Sequence, residues 1–401
     1  MANKTREYGD LLVTLTSLYD WRWNDSGSGA DRDGAFWHPQ PQGDLRAVGS
    51  VACPHYSNLN GNRAVLLVGD NPSKRQSGKG PAVQAPVDYQ LIWADHGSGA
   101  NADGSFWRPV PPNGYISVGD VAVTGHGKPA LDQAQVWCLR ADLVSDGSFN
   151  EAVWNDRGSG ANSDCAIWEI VPRVKNSASE HIPVLAGTFR CGQGYGKPDA
   201  SLAKVPSLYV PKLSKRSSSA PPQITPDSIP EIGDTFDQVN QNVVTLPFTS
   251  FFDDNDRASL DNIQDPFCAV TKAVSWVVLE KFPNYQSTSY QQTHSVTTGI
   301  RKTESETTEH QTGIKISSEV GYGLSKWSIS LNYQFTFSQT SSVEEVQERT
   351  MTKTITVAPR TVAIAWGKRV TIQGVRSDGS RISGEISFNV SEEVAVTEVS
   401  V

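Results

Sequence analysis

One string occurs three times in the first half of the chain and constrains the fold more than any other feature. Its first copy is Trp23-Asn24-Asp25-Ser26-Gly27-Ser28-Gly29-Ala30, followed by Asp33, Phe36 and Trp37. The second is Trp93-Ala94-Asp95-His96-Gly97-Ser98-Gly99-Ala100, then Asp103, Phe106 and Trp107. The third is Trp154-Asn155-Asp156-Arg157-Gly158-Ser159-Gly160-Ala161, then Asp164, Ile167 and Trp168. The copies start about 70 and about 61 residues apart, and repetition at such a period marks a small supersecondary unit that cannot bury its apolar face alone. Val48-Gly49-Ser50-Val51, Val118-Gly119-Asp120-Val121 and Ala186-Gly187-Thr188-Phe189 each lead into a further loop and apolar segment. Each repeat therefore reads as a small antiparallel sheet with Gly-rich turns. Three such sheets burying their faces around a pseudo-threefold axis predict a β-prism over residues 1–212.

Asp25, Asp95 and Asp156 stand two residues ahead of a glycine. The simplest expectation is an Asx-turn, in which the carboxylate accepts backbone N–H groups while the glycine takes a positive φ. The functional expectation is that each carboxylate, with neighbouring amides and Trp23, Trp93 or Trp154, lines a shallow pocket for sugar hydroxyls. These six are the candidate receptor- or glycan-binding residues. Calcium is a third reading, because Asp25 with Asp33, Asp95 with Asp103 and Asp156 with Asp164 recur at one separation, but further oxygen ligands are not evident. No metal and no cofactor is expected. Trp37, Trp107 and Trp168 follow an apolar Phe or Ile in phase, which makes them core residues of each sheet.

From Val205 to Asp234 the pattern gives way to Pro, Ser and basic residues, including Lys215-Arg216-Ser217-Ser218-Ser219 and Pro221-Pro222. Residues 213–234 read as a linker. Over residues 235–401 the texture changes to long Ser/Thr-rich stretches with period-two alternation, the pattern of strands longer than the usual five or six residues. The sharpest alternation lies in 312–338. There Ile314, Ile316, Val320 and Tyr322 alternate with polar or small residues, the chain turns near Gly321-Tyr322-Gly323, and Leu324 sits at the tip. Trp327, Ile329, Leu331, Tyr333, Phe335 and Phe337 then alternate with Ser328, Ser330, Asn332, Gln334 and Thr336. Each half has the roughly nine to eleven residues of a tilted transmembrane strand, apolar toward lipid and polar toward a lumen.

The rest of the sequence narrows how such a hairpin acts. No stretch reaches the roughly eighteen consecutive apolar residues of a spanning helix, which leaves a closed β-barrel as the way across a bilayer. One hairpin leaves its edges unpaired in lipid at several kcal/mol per group, so insertion requires self-association into a ring. A formal net charge of -8 excludes the strongly basic surface that nucleic-acid partners need. The first fifteen residues lack a secretory h-region, so no Sec signal is expected, and the protomer is expected to be soluble, cytoplasmic in the producing cell or released by another route. Cys53, Cys138, Cys165, Cys191 and Cys268 are widely spaced and read as buried small residues. Seven scattered histidines form no H-E-x-x-H, no G-x-S-x-G is present, and triplicated Asp pairs suit architecture or multivalent binding better than one asymmetric active site. No enzyme is expected.

Two resemblances rest on these strings. His294-Ser295-Val296-Thr297-Thr298-Gly299, Gly313-Ile314-Lys315-Ile316, Trp327 to Ser338, and Thr354-Ile355-Thr356-Val357-Ala358-Pro359-Arg360-Thr361 resemble the aerolysin and epsilon-toxin superfamily in order and spacing, over roughly 235–401. That superfamily places an amphipathic insertion hairpin between two Ser/Thr-rich strands, followed by a Pro-led closing strand. The repeats, above all Phe106-Trp107-Arg108-Pro109-Val110-Pro111-Pro112-Asn113-Gly114-Tyr115, resemble the vacuolar protein sorting-associated protein 62 family over residues 1 to about 210. The combination is similar to insecticidal and defence pore formers. It implies an all-β chain, with a β-prism-like head and an elongated aerolysin-like module, that binds a target-cell receptor, oligomerises and inserts its hairpin. The alternative left open by the residues is a multivalent, lectin-like carbohydrate-binding protein whose alternating strands stay packed inside.

Overall fold

The alternation of apolar and polar residues becomes a three-stranded antiparallel sheet in each of the first two repeats and, in the third, the same three strands within a five-stranded sheet that adds His181–Pro183 and Lys204–Tyr209. A computed structural model of the chain describes residues 2–131, 136–173, 181–211, 220–298, 316–317, 321–322, 349–381, 386–389 and 394–401. Over these the protein is all-β, with several short 3-10 turns and a single α-helix, Arg257–Asp261. The described residues fall into two compact units. One gathers the three repeats and the segment Pro247–Phe267; the other holds the stretch from 220 to Leu246 and everything described from Cys268 onward.

The repeat sheets are Tyr19–Asn24, Ala35–Pro39 and Val51–Cys53; Asp88–Ala94, Gly104–Val110 and Val121–Thr124; and Val144–Asn155, Cys165–Pro172 and Phe189–Gln193. In all three the register slips by one residue just before the tryptophan of the string. Trp21 opposes Trp37 but Trp23 opposes Phe36; Leu91 opposes Trp107 but Trp93 opposes Phe106; Ala152 opposes Trp168 but Trp154 opposes Ile167. A bulge that inserts one residue turns the next side chain to the other face of the sheet. Trp37 and Trp107 therefore pack within their own lobes, on Tyr19, Val51 and Val65 and on Tyr89, Val121 and Val136, as expected of core residues. Trp23, Trp93 and Trp154 go the other way, into a core that the three sheets share.

In that shared core the three indoles form a near-equilateral triangle, with ring centroids 5.6, 5.6 and 5.7 Å apart. Phe36, Phe106 and Phe189 make a second triangle, at 4.6, 5.7 and 5.7 Å. Phe189 is not the aligned residue of its repeat. Ile167 occupies that position, and Phe189, from the neighbouring strand, supplies the ring that Ile167 lacks. Glycines allow the interlock: a Cβ on Gly104 would lie 2.2 Å from Trp23, and one on Gly34 would lie 2.4 Å from Trp154. Close approach of another group is a position only glycine fills.

Beside the aromatic layers, Ser50 N–H donates to the Asp120 carbonyl and Asp120 N–H to the Phe189 carbonyl, at 2.8 and 2.9 Å. Asp120 is fully buried, with its carboxylate accepting from Arg108, from Arg190 at 2.6 Å and from the Cys191 amide at 2.8 Å. Burial pulls the Arg190 guanidinium below its ordinary pKa, and the Asp120 charge opposes that pull. All five cysteines are buried, as the sequence suggested, and none is in a disulfide.

The change of texture in the sequence falls at 235, yet Pro247–Phe267 belongs to the first unit. Phe248, Phe251, Leu260 and Phe267 bury there, Lys4 N–H donates to the Gln264 carbonyl at 2.8 Å, and Arg63 pairs with Asp254 at 2.7 Å. Stretch 220–234, read as a linker, is irregular but anchored, since Ile224 and Ile229 pack with Trp276 and Trp366 of the second unit.

The second unit is built on long strands. Phe267–Asn284 and Thr361–Val375 run antiparallel, flanked by Thr235–Pro247 on one side and by Ile386–Asn389 and Ala395–Ser400 on the other. Side chains along Thr361–Val375 alternate between two cores. Val362, Ile364 and Trp366 face Trp276 and Val278, whereas Ala363 and Ala365 face Phe282, Ile355 and Val357. The Ser/Thr-rich strands Tyr290–Thr298 and Arg349–Val357 pair with each other, from Tyr290 opposite Val357 to Thr298 opposite Arg349. The Ala358-Pro359 step after them is a tight corner: Arg360 has a φ of 50°, and its N–H donates to the Gln286 carbonyl.

Candidate functional site

The Gly-Ser-Gly loops of the three strings meet and close a ring. Asn101 N–H donates to the Ser26 carbonyl, Asn162 N–H to the His96 carbonyl and Asp31 N–H to the Arg157 carbonyl, each at 2.8 Å. The ring thus runs from the second repeat to the first, the third to the second and the first to the third. Both glycines of every loop sit at positive φ, from 71° to 89°, which lets so tight a loop present its carbonyls to a neighbour.

Asp25, Asp95 and Asp156 close the base of these loops. Their carboxylates accept the backbone N–H of Gly34, Gly104 and Cys165, nine residues on, at 2.9, 3.2 and 2.9 Å. This is a wider closure than the expected Asx-turn, which is made instead by Asn24 and Asn155. Two of the carboxylates also take an indole from another repeat, Trp154 to Asp25 at 2.7 Å and Trp93 to Asp156 at 3.2 Å. Trp23 donates to the Ala102 carbonyl at 2.7 Å. Burial raises the Asp156 carboxyl above the ordinary carboxylate range.

The six residues expected to line surface pockets are therefore interior. None of Trp23, Trp93, Trp154, Asp25, Asp95 and Asp156 is more than 4 % exposed; the three indoles and the carboxylates of Asp25 and Asp156 bond between repeats, while Asp95 bonds within its own. The bulge is the physical reason, because it exchanges the face of Trp23 with that of Trp21, which is 40 % exposed.

Over the carboxylates lies a further set of side chains that the repeated strings do not contain. A residue just beyond the third strand of each repeat returns to the Asp pair. The Tyr56 hydroxyl donates to Asp25 at 2.7 Å, the Tyr195 hydroxyl donates to Asp164 at 3.1 Å, and in the second repeat the His126 imidazole meets Asp95. Aligning the ends of the repeats, and not only their strings, exposes this Tyr/His/Tyr position. Burial and the acidic neighbours push the Tyr195 phenol up to about 12.

Between the first and third repeats opens a groove of about 690 Å³, lined by Asp33, Arg63, Asn150, Glu151 and Glu169 among others. Its mixed carboxylates, amide and guanidinium suit hydrogen bonding to a polyhydroxylated or polar ligand. Arg63 is already held by Asp254 and Glu169, and Asn150 donates to Glu169 at 3.1 Å, so part of the wall is fixed in advance of any ligand.

Of the expected insertion hairpin, the described residues include Ile316–Ser317 and Gly321–Tyr322, which pair antiparallel with Ile316 opposite Tyr322. Ile314, Val320, Leu324, Trp327, Ile329, Leu331, Tyr333, Phe335 and Phe337 lie outside the described residues. Among the described residues no helix is long and apolar enough to cross a membrane.

Comparison with known structures finds similarity to GNIP1Aa from Chromobacterium piscinae, 25% identical with a TM-score of 0.37, covering 49% of this chain and 36% of that one. It also finds Cry35Ab1, 10% identical with a TM-score of 0.32, covering 98% of this chain and 90% of that one. No curated protein sequence matches. The family model described as vacuolar protein sorting-associated protein 62 matches residues 2–225, more than half of the sequence, and the chain belongs to that family.

Proposed function

We propose that this protein is a β-pore-forming toxin or defence protein. Its N-terminal unit binds a receptor on a target membrane, protomers assemble into a ring, and residues 312–338 cross the bilayer as a β-hairpin. The observation that carries this reading is the pairing of Tyr290–Thr298 with Arg349–Val357. The amphipathic sequence leaves from one of these strands and returns to its partner, so its two ends are held side by side, as a hairpin requires.

The bracketing strands have the chemistry of a water-filled stem. On one face Gln291 donates to Thr356, and Thr293 meets Thr354 and Ser295 meets Thr352 at 3.0 and 3.1 Å, all exposed. Extending such a ladder through the apolar alternation gives a barrel strand that is polar inside and apolar outside. A single protomer contributes one hairpin, and closure in lipid demands several. The order of segments is that of the aerolysin-like resemblance.

Dye release from vesicles made with target-membrane lipids and proteins tests the reading. Wild type releases dye, and Phe335→Asp, which places a charge on the lipid-facing side of a membrane strand where it is destabilising, does not. Absence of release by wild type across membranes to which the protein binds defeats it. The groove of about 690 Å³ favours a second reading, a carbohydrate-binding protein without pore activity. That reading gains if glycan binding is lost in Glu151→Ala while no membrane is permeabilised.

A further inference from the structure

We propose that the second repeat carries a divalent transition-metal site of the zinc class, with Asp95, Asp103 and His126 as its protein ligands. The proposal rests on the N-terminal unit alone and is independent of the pore reading. One ligand atom from each of the three residues lies within 4.8 Å of the other two. Donors about 2 Å from a common tetrahedral ion lie roughly 3–3.5 Å apart, so binding narrows the widest of these separations and opens the direct contact of His126 with Asp95 to admit the ion. Asp95 is 4 % exposed and held at the loop base by the Gly104 amide, while Asp103 is exposed. The site thus has a fixed inner ligand and an open approach. The His96 ring lies 3.7 Å from that of His126, centroid to centroid, which puts a second imidazole beside the cluster.

The other two repeats supply an internal control. Around the same Asp pair they place a phenol, whose hydroxyl donates its proton to Asp25 or Asp164. Both phenols are shifted upward and stay protonated near neutral pH, Tyr195 at about 12. A protonated phenol is a donor and a poor ligand, whereas the His126 imidazole, whose Nε2 meets Asp95, presents a lone pair there once its proton sits on Nδ1. The carboxylates differ as well. Asp25 and Asp156 each accept an indole N–H from a neighbouring repeat, while the equivalent indole, Trp23, goes to the Ala102 carbonyl. Among the described residues, the second Asp95 oxygen has only the Ser98 hydroxyl at 3.4 Å. Two carboxylates with one imidazole, and a second nearby, match ions that accept mixed nitrogen and oxygen donors. The all-oxygen preference of calcium and magnesium fits the set less well.

Calorimetric titration of the full chain with zinc chloride alone tests the site, with manganese, magnesium and calcium in parallel. The expected result is one zinc per chain in the micromolar range or tighter, weaker binding of magnesium and calcium, and a rise in melting temperature with zinc. His126→Tyr installs the residue of the other two repeats and is expected to weaken zinc binding at least tenfold. Asp103→Asn, at an exposed side chain, is expected to do the same without loss of fold, as judged by circular dichroism. No zinc binding by wild type, or binding unchanged in both variants, overturns the proposal.

Discussion

The two units solve the problem of burying β-sheets in opposite ways. The N-terminal unit uses short strands and large rings; its shared core holds three tryptophans and three phenylalanines from three lobes. The second unit uses strands of 18 and 15 residues, whose small and medium side chains alternate between two faces, with a polar ladder on the paired Ser/Thr strands. The first arrangement has one packing solution, since every ring is wedged by residues from other repeats. In the second, hydroxyl pairs repeat every two residues along a ribbon, and a ladder of like pairs specifies register only weakly. A head that keeps its shape and a ribbon that can re-pair are what the proposed function requires of each part.

The contrast yields graded expectations. Trp154→Ala removes a buried indole and leaves the Asp25 carboxylate short of a donor, costing about 3–5 kcal/mol; peptide-resolved hydrogen exchange is expected to show the loss across all three lobes and not in the second unit. Equal loss in both units would break the distinction drawn here. Asp120→Asn weakens a buried pair with Arg190, and removal of one partner from such a pair costs up to about 3–5 kcal/mol; the denaturation midpoint of the first unit is expected to fall somewhat less than for Trp154→Ala. Phe189→Ala opens a cavity worth about 3 kcal/mol, and adding Ile167→Phe is expected to restore part of it, because the two side chains fill one space. A rescue no larger than zero in that double variant would show that Phe189 does not stand in for the missing ring. The smallest effect is expected in the ribbon: Thr293→Val with Thr354→Val removes one cross-strand hydroxyl pair, worth about 0.2–1 kcal/mol, measurable as faster exchange of neighbouring amides.

The repeats, their three sheets and the burial of Trp37 and Trp107 were legible in the sequence because each follows from a pattern local to one repeat. The fate of Trp23, Trp93 and Trp154 was not. Strict alternation keeps residues 21 and 23 on one face, and only an inserted bulge residue, invisible in composition, sends them apart. The same limit explains Phe189, which compensates for Ile167 from a different strand, and the segment Pro247–Phe267, whose partners lie far earlier in the chain. His126 was visible as a histidine but had no meaning until the tails of the repeats were superposed on Tyr56 and Tyr195.

The ring of loop hydrogen bonds also bears on how such a chain changes over generations. A stacked array can gain or lose a copy at its ends, because the end copies meet only one neighbour. Here the first copy grips the third, the third grips the second and the second grips the first, so the number three is locked and no copy is terminal. Each copy is physically coupled to the others: a change that moves one loop has to be matched by the copy it touches, some sixty or more positions away in the sequence. Duplicated units held this way drift as a set. That leaves room for one member, such as the repeat bearing His126, to take on a task the other two do not share.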